Sequence, residues 1–200
     1  MIISEHKQNT PEWIAERLGC PSASEFKRIV TAKGVRSESR GKYINELASE
    51  IITGERAASY KNKAMDQGHE REQENIDLYK FRNGCEITQV GFCWKDENKL
   101  YGASPDALVN DDGLMEAKNS NGAQQIDRIL HGWTAAEHHR QAMGQMLVTG
   151  RKWCDVVSYC RGMKTVTVRF ERDEKFLEIL EFELIMFNDE LMELVDKIRG

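Results

Sequence analysis

The feature that most narrows the fold is a change of hydrophobic period near Glu86. Before it, apolar residues recur at helical spacing within charged stretches. After it, Ile87, Val90, Phe92 and Trp94 sit among turn formers, and Leu100, Tyr101, residues 107–109 and residues 114–117 continue a strand-like pattern. Asp111-Asp112-Gly113 is a turn signal, so the strand that follows Asp106 and the strand that carries Glu116 are expected to form a hairpin. Helical patterns on both sides of these strands then predict an α/β fold with a central mixed sheet.

The helices are read from their ends. Residues 11–18 form a short helix opened by Pro11 after Thr10, and residues 22–30 a second one, where Ser22 and Glu25 have the spacing of a capping box. Residues 31–37 are a loop rich in Gly, Ser and basic residues. Helices follow at 38–53, stopped by Gly54, and at 63–82. Beyond the hairpin come a polar loop at 119–123, a helix near 134–149, and strands near 153–160 and 164–170 joined by Arg161-Gly162. The last element, about 173–198, carries Leu177, Leu180, Leu184, Phe187, Leu191, Leu194 and Ile198 at spacings of three and four. Phe176, Ile185 and Val195 broaden that stripe, which favours a helix packed on its own domain over a coiled coil.

At 200 residues the chain is expected to be one domain, 1–200. No apolar run approaches the roughly 18 residues of a membrane span, and the first ten residues lack the form of a signal peptide, so a cytoplasmic location is expected. Five cysteines without a Cys-x-x-Cys pair suggest neither a disulfide framework nor a zinc site. The net charge of −5 is unevenly spread: residues 173–200 hold nine acids and three bases, which leaves residues 1–172 near neutral at +1. The acidity belongs to the final helix, and the rest of the chain is open to a polyanionic partner.

Chemistry concentrates in Pro105-Asp106 and Glu116-Ala117-Lys118. Glu116 and Lys118 share one strand face by the period of two, and Asp106 starts the neighbouring strand. The flanking residues are apolar, so these charges need partners or a cation to be buried. Asp106, Glu116 and the Ala117 carbonyl offer oxygen to a hard divalent cation, while Lys118 can orient a water or help deprotonate it. That set suits cleavage of a phosphodiester.

Seven short stretches then match one family in order: residues 13–19 (Trp-Ile-Ala-Glu-Arg-Leu-Gly), 22–25 (Ser-Ala-Ser-Glu), 68–79 around Glu72, 103–106 (Ala-Ser-Pro-Asp), 113–118, 141–149 and 171–175. The chain thereby resembles the phage lambda exonuclease and YqaJ-type viral recombinase family, within the PD-(D/E)xK nuclease superfamily. The resemblance implies a restriction-endonuclease-like sheet flanked by helices, and a processive enzyme digesting one strand of linear duplex DNA from 5′ to 3′. The products would be mononucleotides and a 3′ single strand for recombination. By position, it makes Asp106 and Glu116 metal ligands, Lys118 the catalytic lysine, and Glu72 and Gln141 supporting residues of the site. Arg17, Ser24 and Ser104 take the positions that grip a 5′-phosphate, Met65 that of an apolar wedge, and Arg36 that of a loop contact to DNA. Two Mg²⁺ ions, with Mn²⁺ able to substitute, a homotrimeric ring around DNA and a single-strand annealing protein as partner are also implied. The acidic helix, through Asp189, Glu190 and Glu193, is the expected contact for that partner. One departure is Asn119-Ser120-Asn121-Gly122, where relatives have Cys-Pro or Ser-Pro, which leaves the path of this loop open. A site-specific endonuclease of the same superfamily and a non-catalytic DNA-end-binding factor are the alternatives.

Overall fold

Each helix begins or ends where a specific side chain or glycine satisfies the backbone. The structure of the protein, a computed structural model, describes residues 1–6, 10–56 and 63–200, with backbone alone over 63–69. Helix α1 (Pro11–Glu16) is capped by the Thr10 hydroxyl, which accepts the Trp13 N–H at 3.3 Å. Helix α2 (Arg40–Thr53) stops at Gly54, whose φ of 69° lies in the left-handed region that glycine tolerates. Helix α3 spans Lys63–Asn83.

The expected helix at 22–30 is instead a 3-10 turn, Ala23–Arg28, and the capping box does not form. Ser22 is engaged elsewhere: it bridges to Gly102, its N–H donates to the Tyr43 hydroxyl at 3.4 Å, and its own hydroxyl lies 3.2 Å from that of Ser24.

The strands are β1 (Ile2–Ile3), β2 (Ile87–Thr88), β3 (Cys93–Trp94), β4 (Gly102–Ala103), β5 (Ala107–Val109), β6 (Gly113–Asn119), β7 (Trp153–Tyr159) and β8 (Val166–Glu171). Five of them make a mixed sheet in the order β2-β5-β6-β7-β8, with β6 and β7 parallel and the other pairs antiparallel. The remaining three form a small antiparallel sheet, β1-β3-β4. The strand expected at Leu100-Tyr101 begins two residues later, because Lys99 closes a turn onto Asp96 with a φ of 52°. The predicted hairpin is present, and Ala107 stands opposite Met115.

Residues 119–123 differ from expectation. Asn121 caps a helix, α4 (Gly122–His131), in a capping box with Gln124. A 3-10 turn, Ala136–His138, then leads into α5 (His139–Thr149). Helix α6 (Glu174–Arg199) starts with Asp173 accepting the Phe176 N–H. It packs against α2 and α5, burying Leu177, Leu180, Leu184, Phe187 and Leu191 and leaving Ile185 and Ile198 exposed. No helix among the described residues is long and apolar enough to cross a membrane.

The two faces of the central sheet bury different neighbours. Leu114, Cys154 and Val156 join the large core under α2, α5 and α6, whereas Met115, Val157, Ala107 and Val109 pack with Ile76 and Tyr79 of α3. Alternation along β6 therefore puts Glu116 and Lys118 on the face of Leu114, toward α5. The close seat of α5 is set by Gly144: a β-carbon there would meet the Phe26 ring of the 3-10 turn at 2.4 Å.

Candidate active site

The hairpin register explains how residues ten apart in sequence meet. Asp106 lies just before β5, and its Oδ2 accepts the Ala117 N–H of β6 at 2.7 Å, tying the start of one strand to the far end of the other. Glu116 is 5% exposed. Such burial of a carboxylate is tolerable only with donors around it, and three are present. Its Oε1 accepts Lys118 Nζ at 2.8 Å and Gln141 Nε2 at 2.6 Å, and its Oε2 accepts Gln145 Nε2. Gln141 closes the triangle, because its Oε1 accepts the same Lys118 ammonium at 3.1 Å.

The electrostatics are those of crowded acids. Burial pushes the Asp106 carboxyl well above its usual range, and the neighbouring Glu116 and Glu72 push it further, against the Ala117 N–H and Lys118. Burial disfavours the Lys118 ammonium, but Glu116 outweighs that effect and holds the lysine above its ordinary pKa. Glu72, half-buried on α3, shares with Asp106 a cleft of about 370 Å³ whose other wall is Ser4–His6 and Gln89–Gly91. Among the described residues no three His, Cys, Asp or Glu side chains converge as a closed metal cage. The donor set is two carboxylates, with mutual repulsion that a cation would relieve, beside a backbone carbonyl.

A second cavity, of about 240 Å³, joins Arg17 and Ser24. Arg17 lies over the Trp13 ring at 4.0 Å and the Phe92 ring at 4.7 Å, and its pKa is pulled down to about 10, first by burial and then by Arg56. Arg28 lines the same cavity but is neutralised by Glu46 through two bonds of 2.6 and 2.8 Å. Glu50 also lines it, accepting the Gly19 N–H at 3.1 Å. Ser104 does not line this cavity; it sits two residues before Asp106, and its Oγ is buried without a hydrogen-bond partner.

Arg36 stands apart from both places. Its guanidinium pairs with Glu183 at 2.9 Å and Glu190 at 3.2 Å on α6. Met65 lies on α3, and its side chain falls outside the described residues. The departure at 119–122 is also explained. Ser120 Oγ lies 2.9 Å from Ser158 Oγ and accepts Arg128, so this loop is pinned to β7 by a buried polar network.

Sequence reading missed Gln145 and Arg56. Gln145 had a usable signal, since it follows Gln141 by four residues and so lies on the same helix face.

The model of the YqaJ-like viral recombinase domain matches residues 12–152, a span holding Arg17, Asp106, Glu116, Lys118 and Gln145. The chain belongs to this family. An alkaline exonuclease (LHK-Exo) from Laribacter hongkongensis is 34% identical, with a TM-score of 0.84 over 95% of this chain and 96% of that one. The same exonuclease in complex with dAMP matches equally. A phage-related exonuclease from Haemophilus somnus 129PT, 15% identical, shares the fold with a TM-score of 0.70 over 90% of this chain and 96% of that one. No curated protein matches. Membership fixes the chain as a homologue of an alkaline exonuclease, and the expected nuclease-like α/β fold with a C-terminal helix is the one found.

Proposed function

We propose that this family member is a magnesium-dependent exonuclease that digests one strand of linear double-stranded DNA from a 5′-phosphorylated end. It works 5′ to 3′, releases mononucleotides and leaves a 3′ single strand for recombination. The observation that carries the reading is the meeting of Asp106, Glu116 and Lys118 at one end of the β5–β6 hairpin, each held by a hydrogen bond. Family membership and the named activity of the alkaline exonuclease relative support it.

Asp106, Glu116 and the Ala117 carbonyl would hold Mg²⁺, or Mn²⁺ in its place, and two ions fit the count of acids once Glu72 is included. The bound cation supplies Lewis-acid polarisation of the phosphoryl oxygens and acidification of a water. The protein's own residues do the rest. Gln141 fixes the Lys118 ammonium against Glu116, so that lysine is a preorganised donor at the place where negative charge develops. Arg17, stacked on two aromatic rings and joined by Ser24 in one cavity, presents its fork to the terminal phosphate. Ser104, two residues before Asp106, has a buried hydroxyl without a hydrogen-bond partner, and it would add a donor for the same phosphate. A phosphate bound at Arg17 then sets which end of the duplex enters.

The same reading takes the 200 residues as a single nuclease domain acting in the cytoplasm as a homotrimeric ring, which can slide along DNA without dissociating. A single-strand annealing protein docks on the acidic face of α6. Glu190 is partly committed there, to Arg36 and Arg40, which leaves Asp189 and Glu193 as the freer contacts. The test is digestion of linear duplex DNA, with and without a 5′-phosphate, against closed circular DNA. Release of nucleotides from the phosphorylated linear duplex alone is expected. Cutting of the circle would point to an endonuclease, and binding without release to an end-binding factor.

A further inference from the structure

Gln145 places an amide in the buried face of helix α5. Helix α5 buries Ala142, Met143, Met146, Leu147 and Val148, and within this apolar row Gln145 is 1% exposed. An amide so placed costs stability unless both of its ends are satisfied. Both are: Nε2 donates to Glu116 Oε2, and Oε1 accepts the Cys154 thiol at 3.6 Å. Burial raises the Cys154 pKa well above its usual value, so the thiol keeps the proton it donates. The orientation of the amide is thereby set from below, by a residue of the adjacent strand β7.

The consequence is a count of lone pairs on Glu116. A carboxylate offers about four acceptor positions, two on each oxygen. Lys118 and Gln141 occupy both on Oε1, and Gln145 occupies one on Oε2. Among the described residues, nothing takes the remaining position on Oε2. A methionine or leucine would fill the same volume on α5 without any desolvated amide, so packing alone does not account for a glutamine here.

We infer that Gln145 is a positioning residue that locks the Glu116 carboxylate and leaves a single Oε2 lone pair to receive a divalent cation. It acts through Glu116 and touches neither DNA nor cation itself. Ligating carboxylates are commonly held by such outer partners, and loss of one weakens metal affinity or activity about 10- to 100-fold. Gln141 divides its amide between Glu116 and Lys118, whereas Gln145 divides its own between Glu116 and the buried Cys154 thiol. The two glutamines therefore separate experimentally.

This inference rests on Glu116 being a cation ligand, and the test keeps the two claims apart. Mn²⁺ binding is measured by titration calorimetry on the full chain without DNA, for the wild type, Gln145→Met and Gln145→Ala. Thermal unfolding of the same proteins in chelator checks the fold, and the alanine variant removes the donor without added bulk should methionine pack poorly. Mn²⁺ affinity weakened about 10- to 100-fold, with kcat lowered and KM for DNA unchanged, is the expected result. Folded variants that bind Mn²⁺ as tightly as the wild type would overturn the role of Gln145 while leaving the site intact. A wild type that binds no Mn²⁺ would overturn the site itself, and the inference with it.

Discussion

At the scale of the residue, the site holds Glu116 by a neighbour on its own strand, Lys118, and by two glutamines of α5 that are distant in sequence. Lys118 lies between Glu116 and Gln141, so Lys118→Ala removes a preorganised donor and is expected to lower kcat about 10²- to 10³-fold, while DNA binding measured by fluorescence anisotropy stays near wild type. Arg17 is stacked and lacks any carboxylate partner at salt-bridge distance among the described residues, which suits a guanidinium waiting for an anion. Arg17→Ala should erase the preference for 5′-phosphorylated over 5′-hydroxyl ends; an undiminished preference in a rate comparison would remove its assigned role. The Pro-Asp and Glu-Ala-Lys pair was legible because a period of two and one turn signal suffice to bring them together. Gln145 was not, because a glutamine inside an apolar helix reads as an interruption until its partner across the sheet is known. Ser22 shows the reverse failure: its spacing to Glu25 is right for a cap, but tertiary bonds to Tyr43 and Ser24 take its polar groups.

At the scale of the element, helix α5 connects the hairpin to the 3-10 turn that bears Ser24. One face carries Gln141 and Gln145 to the hairpin, and Gly144 lets the helix sit directly on Phe26 of the turn that bears Ser24. Gly144→Ala would force a methyl group into the Phe26 ring, with an expected cost of about 1–3 kcal/mol, read as a lowered Tm. The start of the same helix carries a pH dependence. Burial, with help from Arg140, lowers the pKa of His139, which packs edge-on against Phe170 and Phe176; Asp173 pulls the other way. A histidine held neutral in the fold takes up its proton more readily when unfolded. Its contribution is therefore intact above the unfolded value of about 6.5 and is lost as pH falls through that value toward the lower folded one. His139→Phe should flatten this part of a Tm-against-pH curve between neutral pH and pH 5; parallel curves would show that His139 contributes none of it. Helices whose ends carry Gly54, Pro11 or a leucine stripe were legible in sequence. Helix α4 was missed because its capping asparagine lies in a run of small polar residues that equally suits a loop, and its outer face leaves Ile126 and Leu130 exposed.

At the scale of the whole molecule, Glu183 and Glu190 make one side of α6 a clasp for the arginines of α2 and the loop before it. Arg40, 6% exposed, reaches Glu190 at 3.0 Å and Glu183 at 3.2 Å, and Arg36 adds two more bonds to the same acids. Removing one partner of a buried charge group is more damaging than removing a surface pair, so Arg40→Met should cost about 3 kcal/mol or more, whereas Arg36→Met, at an exposed site, should cost under about 1 kcal/mol. Urea unfolding of the two variants checks the contrast. This clasp bears on the uneven charge of the chain, since part of the −6 of residues 173–200 is matched by arginines of the first third. The central claim concerns the hairpin, and it is tested most directly by counting nucleotides released from linear, 5′-phosphorylated duplex DNA with Mg²⁺ by the wild type and by Glu116→Gln, which keeps the shape of the side chain and removes its charge. Steady release by the wild type and near-complete loss in the variant is the result expected; equal release by the two would contradict the account.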